Sequence, residues 1–120
     1  MNGPLNGVRV VELGVWVAGP ACAGVLADWG ADVIKVEPPE GDPQRNIFGA
    51  LGQSDQPAVP PFEIDNRGKK SVVIDLRDPA GLERMYELLA GADAFVTNVR
   101  LAALARLGLD PETEIGRAHV

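Results

Sequence analysis

The sequence predicts an α/β fold built on a parallel sheet with flanking helices, and two observations carry that prediction. Four short apolar runs are rich in β-branched residues: 8–13 (VRVVEL), 33–36 (VIKV), 71–76 (SVVIDL) and 94–96 (AFV). Near-continuous apolar character over such lengths suits strands buried on both faces. Stretches with helical periodicity lie between some of them, and this alternation implies βαβ units with right-handed crossovers.

After the first strand, the first helix is expected from Pro20 to Trp29, where Cys22, Val25, Leu26 and Trp29 fall at i, i+3, i+4 and i+7. Gly30 is its stop signal. The second strand leads into a long loop from Pro38 to Pro61 that holds six of the ten prolines. Structureless loops of that length are usually functional or disordered. The third strand precedes a helix from Pro79 to Ala90, with Leu82, Met85, Tyr86 and Leu89 on one face. Asp78 is its N-cap, Pro79 suits the first helical position, and Gly91 ends it. A short helix from Leu101 to Leu107, stopped by Gly108, follows the fourth strand.

A chain of 120 residues is enough for one small domain, and 46% hydrophobic with 23% charged residues is an ordinary globular composition. Lys and Arg total 11 against 17 Asp and Glu, a formal net charge of −6. That balance argues against sequence-independent binding to nucleic acid or an anionic membrane, because both need a basic face. No apolar run reaches the roughly 20 residues that span a bilayer. Met1-Asn2-Gly3-Pro4 has no basic flank leading into an apolar stretch, so no signal peptide is expected. The single cysteine, Cys22, excludes an internal disulfide and a cysteine-built zinc site. The expectation is a soluble, cytoplasmic protein.

Candidate chemistry gathers where strands end. Gly14 to Pro20 joins the first strand to the first helix, and ligands of open α/β sheets bind at such carboxyl ends. The glycine spacing there fits neither a dinucleotide fingerprint nor a P-loop, so spacing alone favours a plain connecting loop. Trp16 is expected to pack, or else to wall a flat ligand. Cys22 lies near a helix N-terminus but on the apolar stripe, which predicts a buried, inert thiol. Asn66-Arg67-Gly68-Lys69-Lys70 is the densest basic cluster; it reads as a solvated turn, with a polyphosphate contact as the alternative. Asp75, inside the third apolar run, is either a binding residue or a local cap. Arg100 and Arg106 could hold phosphates by forked, charge-assisted hydrogen bonds, or bridge to local carboxylates.

Taken together, the segments resemble one family. Pro4-Leu5, Gly7 to Leu13, Ala18-Gly19-Pro20, Leu26-Ala27-Asp28, Gly30 to Glu37, Gly41-Asp42-Pro43 with Arg45, Asn66 to Val72, Asp75-Leu76, Ala92-Asp93, Asn98 with Arg100, and Arg106 to Leu109 follow one another in family order. They resemble the class III coenzyme A transferases, the CaiB/BaiF family, which also contains alpha-methylacyl-CoA racemases. The likeness runs from Pro4 to about Glu112.

This resemblance implies part of a Rossmann-like large domain that binds coenzyme A as its acyl-CoA substrate, without a metal. It implies interlocked homodimers, and transfer of CoA from an acyl-CoA to a carboxylic acid through a nucleophilic aspartate. Position by position, it implies that Val17 and Ala18 line the CoA site. It places Ile74, Asp75, Leu76 and Arg77 in a second CoA-contacting stretch, and Asn98, Val99 and Arg100 in a third. Arg106 is implied to meet a CoA phosphate. Pro38 stands where some relatives place a basic residue near the adenine. Leu101-Ala102 replaces the usual Pro-Gly after Arg100, which alters the expected turn there.

The family's catalytic aspartate lies downstream of the Arg106-Leu107-Gly108-Leu109 motif, beyond Val120, so this stretch alone is expected to be inactive. A racemase would place its proton-transfer His and Asp downstream too, and a free-standing CoA-binding module would need neither. Residues 115–120 (IGRAHV) read as the translation of a sequencing adapter, which leaves 1–114 as the family-derived part.

Overall fold

The computed structural model describes residues 3–52 and 58–113. Residues 115–120, read above as an adapter translation, lie outside them. The elements run β1 (Arg9–Leu13), α1 (Ala18–Asp28), β2 (Asp32–Glu37), a 3₁₀ turn (Pro43–Asn46), α2 (Ile47–Ala50), α3 (Pro60–Asp65), β3 (Lys70–Val73), α4 (Pro79–Ala90), β4 (Ala94–Thr97) and α5 (Leu101–Leu107). The expected α/β class is therefore found. The four strands form one sheet in the order β3-β2-β1-β4, and every pair is parallel.

Register is fixed by apolar pairs. Val11 faces Ile34 on one side and Phe95 on the other, and Val36 faces Val72. Alternate residues feed opposite faces. Val10 and Val33 pack with Ala23 of α1 and Ala31. Val11, Leu13 and Val36 pack with Ile74, Met85 of α4, Leu104 of α5, and Leu109. The connection from β1 to β2 thus covers one face with α1. The connection from β3 back across the sheet to β4 covers the other with α4.

Helix α4 forms as its pattern predicts. Asp78 accepts the Ala80 N–H at 3.1 Å and Pro79 occupies the first turn. Met85 is fully buried, and Leu82, Tyr86 and Leu89 pack beside it. Gly81 has no room for a side chain, since a Cβ there would lie 2.0 Å from the Asp75 carbonyl oxygen.

Four expectations need correction. The third strand ends at Val73, so Asp75 lies in the turn after it. The edge strands are not buried on both faces: Val73 on β3 is 61% exposed. The Pro38–Pro61 segment is not structureless, because it holds the 3₁₀ turn, α2 and the start of α3. Helix α1 begins at Ala18 and buries Gly19, Pro20, Ala23 and Gly24, whereas Cys22, Val25 and Trp29 are exposed. The physical reason is close approach. A Cβ on Gly24 would sit 2.8 Å from the Asp65 carbonyl oxygen, so only small residues fit between α1 and α3.

Candidate functional site

All four strands end at one edge of the sheet. The strand order reverses direction around β1 and β4, and such switch points open crevices at the carboxyl edge. The β1–α1 loop and the β4–α5 loop flank this switch point. Val17 and Ala18 start α1 there, both exposed, and no side chain caps the helix.

The two loops are tied together. Asn98 donates through Nδ2 to the Val15 carbonyl at 2.8 Å and accepts the Val15 N–H through Oδ1 at 3.1 Å. Thr97 Oγ1 donates to the Leu13 carbonyl at 2.6 Å and accepts the Val99 N–H at 3.1 Å. A Cβ on Gly14 or Gly19 would stand 3.3 or 3.0 Å from Asn98 Oδ1, so a side chain at either position would press on the clamp. Asn98 therefore fixes the shape of the β1–α1 loop. Val99 turns into the core, and Arg100 is exposed at the start of α5.

The remaining sequence-predicted positions lie further out. Ile74 is a core side chain at 5% exposure, and Leu76 packs against the same cluster. Asp75 and Arg77 stand at the same edge but beyond β3, two strands from β1 and so about 10 Å away. Arg77 Nε donates to Asp75 Oδ1 at 3.0 Å and its Nη2 reaches Glu40 at 3.1 Å. The Arg77 side chain holds the Asp75 carboxyl below its ordinary range, and the Arg77 backbone N–H adds to this. Arg106 is exposed in the last turn of α5, about 9 Å along the helix from Arg100 at 1.5 Å per residue. The structure thus brings Val17 and Ala18 together with Asn98–Arg100, and sets Asp75–Arg77 and Arg106 on the flanks.

Beneath this edge, on the α1 face, lies a buried ionic network to which sequence reasoning gave no role. Lys35 Nζ sits 2.8 Å from Glu12 Oε2 and 2.9 Å from Asp42 Oδ2, and donates to the Gly14 carbonyl at 3.1 Å. Lys69 Nζ pairs with the other Glu12 oxygen and donates to the Pro20 carbonyl and Asn66 Oδ1, each at 2.8 Å. The side chains of Lys35, Glu12, Asp42 and Lys69 are at most 2% exposed. Two cations and two carboxylates balance, as buried charge requires. Burial pulls the Lys69 ammonium below its usual range, and the Glu12 hydrogen bond opposes that.

Glu37 forms the next link. Arg45 grips it with two 2.7 Å bonds, Ser71 Oγ donates to it, and the Asp42 N–H donates at 2.9 Å. Burial acts to raise its carboxyl, but these donors win and hold it at about 2. Arg45 also stacks on Phe62, 4.0 Å from the ring centre. The basic cluster is thereby corrected at one position: Lys69 is buried and paired, whereas Arg67, paired with Asp28, and Lys70, paired with Asp32, are exposed as a solvated turn would have them. The available signal was the charge placed inside apolar strands at Glu12, Lys35 and Glu37.

A parallel sheet covered by helices on both faces, with its strand order switching between β1 and β4, defines an α/β protein of the doubly wound class. Among the described residues, no group of acidic, His or Cys side chains could hold a metal ion, and no helix is long and apolar enough to cross a membrane.

A family model described as CoA-transferase family III matches residues 5–116, and the chain belongs to that family. It is 46% identical over 106 residues to (R)-2-hydroxy-4-methylpentanoate CoA-transferase of Clostridioides difficile, covering 88% of this chain and 27% of that protein. It is 41% identical over 116 residues to a succinate–glutarate CoA-transferase of Agrobacterium fabrum, covering 92% and 28%. A crystal structure of a CaiB/BaiF family protein from Brucella suis superposes with TM-score 0.83 at 38% identity, over 97% of this chain and 31% of that one. The chain therefore spans little more than a quarter of the curated relatives it matches.

Proposed function

We propose that this chain is the coenzyme A-binding portion of an enzyme that transfers CoA between an acyl-CoA and a carboxylic acid. Family membership over residues 5–116 is the observation that carries this reading. It gains support from position: Val17, Ala18, Asp75, Arg77, Asn98 and Arg100 all lie at the carboxyl edge of the sheet. Arg77, Arg100 and Arg106 supply guanidinium forks suited to the CoA phosphates. Ile74, Leu76 and Val99 act from behind, as packing that fixes the loops.

In this reading the nucleophilic aspartate belongs to the rest of the parent enzyme, which is a cytoplasmic homodimer and uses no metal. The aspartate carboxylate attacks the thioester carbonyl and expels CoA thiolate. The thiolate attacks the aspartyl carbonyl of the mixed anhydride, freeing the first acid and leaving an aspartyl-CoA thioester. The acceptor carboxylate then runs the same steps in reverse and departs as the new acyl-CoA. The test is calorimetric titration of the chain with coenzyme A, joined to an exchange assay with acyl-CoA and several carboxylates. Saturable binding that weakens in Arg100→Ala, with no exchange, is expected. Absence of binding overturns the CoA site, and robust turnover overturns the downstream aspartate.

A further inference from the structure

Among the described residues, seven take a positive φ between 63° and 101°, and six of them are glycines. The seventh is Trp16, at 63°, in the β1–α1 loop. A side chain in this left-handed region crowds its own backbone, a strain that glycine escapes. The core does not compensate for it. The Trp16 residue is 48% exposed and belongs to neither apolar cluster.

The conformation is imposed from below. The Trp16 N–H donates to Asp42 Oδ1 at 3.3 Å, and Asp42 is itself buried and paired with Lys35. On the other side Asn98 grips Val15 at both its N–H and its carbonyl. Strain of this kind persists only where the surroundings over-determine it. Here a buried ion pair and a two-point amide clamp hold an exposed indole in the loop at the carboxyl end of β1.

The charges sort the two ends of a CoA thioester. Residues 15–18 (VWVA) carry no ionisable side chain. The arginines of this edge lie on other segments, Arg100 on the neighbouring β4–α5 loop and Arg77 and Arg106 further out, while Arg45 is committed to Glu37 and Phe62. Phosphates belong with the guanidinium groups, which leaves the β1–α1 loop for the uncharged pantetheine and acyl end. We propose that Trp16 is a specificity-determining residue whose indole receives the acyl-pantetheine end of the thioester. This rests on the coenzyme A reading above.

The experiment uses the whole chain with Trp29→Phe, which leaves Trp16 as its one tryptophan. Its emission is followed during titration with butyryl-CoA and with adenosine 3′,5′-bisphosphate, which carries only the phosphate end. Butyryl-CoA is expected to change the Trp16 emission, while the bisphosphate binds by calorimetry without changing it. Trp16→Gly is expected to weaken butyryl-CoA by about tenfold, the loss of one good aromatic contact. It should leave the bisphosphate affinity and the melting midpoint intact, or raise the midpoint. Trp16→Phe should keep most of the affinity. Equal butyryl-CoA binding by Trp16→Gly overturns the inference alone, as does a lowered melting midpoint, which would make Trp16 a packing residue. Failure of both ligands to bind the unsubstituted chain overturns the coenzyme A reading and this inference with it.

Discussion

The two faces of the sheet are built on different principles. On the α4 side, Val11, Leu13, Val36, Ile74, Met85 and Leu104 make a continuous apolar layer. On the α1 side, the buried apolar packing centres on the amino half, around Val10, Ala23 and Val33, with Val96 of β4 reaching level with Glu12. The carboxyl half holds Glu12, Lys35 and Glu37 on the strands, joined by Asp42 and Lys69 from the loops. An apolar layer stabilises without direction, whereas a closed set of ion pairs and hydrogen bonds fixes geometry. Both ammonium groups of the network reach loop or helix carbonyls, at Gly14 and Pro20. The ionic half therefore sets the shape of the β1–α1 segment, and the apolar half supplies stability.

The largest expected effect separates the two. Lys35→Met leaves Asp42 without a cation and Glu12 with Lys69 alone, an uncompensated buried charge that costs about 3–5 kcal/mol. Denaturant titration should show that loss, and coenzyme A binding should fall with it. Met85→Ala, on the other face, should cost about 2–5 kcal/mol through the cavity it leaves. In whatever fraction stays folded, its coenzyme A affinity should be unchanged. If the two variants lose binding in equal measure, the division between faces is wrong.

A smaller effect concerns pH. The Glu37 carboxyl is lowered from 4.5 to about 2 in the folded chain. A carboxyl whose folded value is depressed contributes stability that is fully present above its unfolded value. That contribution is lost as pH falls from about 4.5 towards 2. Melting midpoints measured through this window should fall steeply, and Glu37→Gln should flatten the slope while lowering the plateau above it. An unchanged slope in Glu37→Gln would remove Glu37 from the network's acid response.

Much of the scaffold was legible in the sequence, because β-branched runs and a capped amphipathic helix each report on local structure. Helix α4 matches its expected bounds from Pro79 to Ala90. Helix α1 was misread on its burial, since the stripe rule sends large apolar residues inward. Its neighbours come too near for that, and glycines and alanines take the inner face. The ionic network was illegible for another reason. Glu12 and Lys69 are 57 residues apart, and a lysine in a basic cluster looks solvated until the fold brings it a partner. The edge positions at 17–18, 75–77 and 98–100 were named through family resemblance. The clamp between Asn98 and Val15, 83 residues apart, had no local signal.

The central claim is that the carboxyl edge of this sheet receives coenzyme A. Amide hydrogen exchange, followed with and without coenzyme A, tests it most directly. The account predicts slowed exchange at residues 14–18, 75–77 and 98–100, where strands β1, β3 and β4 end. It predicts no change at 5–8, 29–31 and 91–93, which lead into β1, β2 and β4 from the opposite edge. Protection confined to those amino-edge segments, or none at either edge, would contradict it.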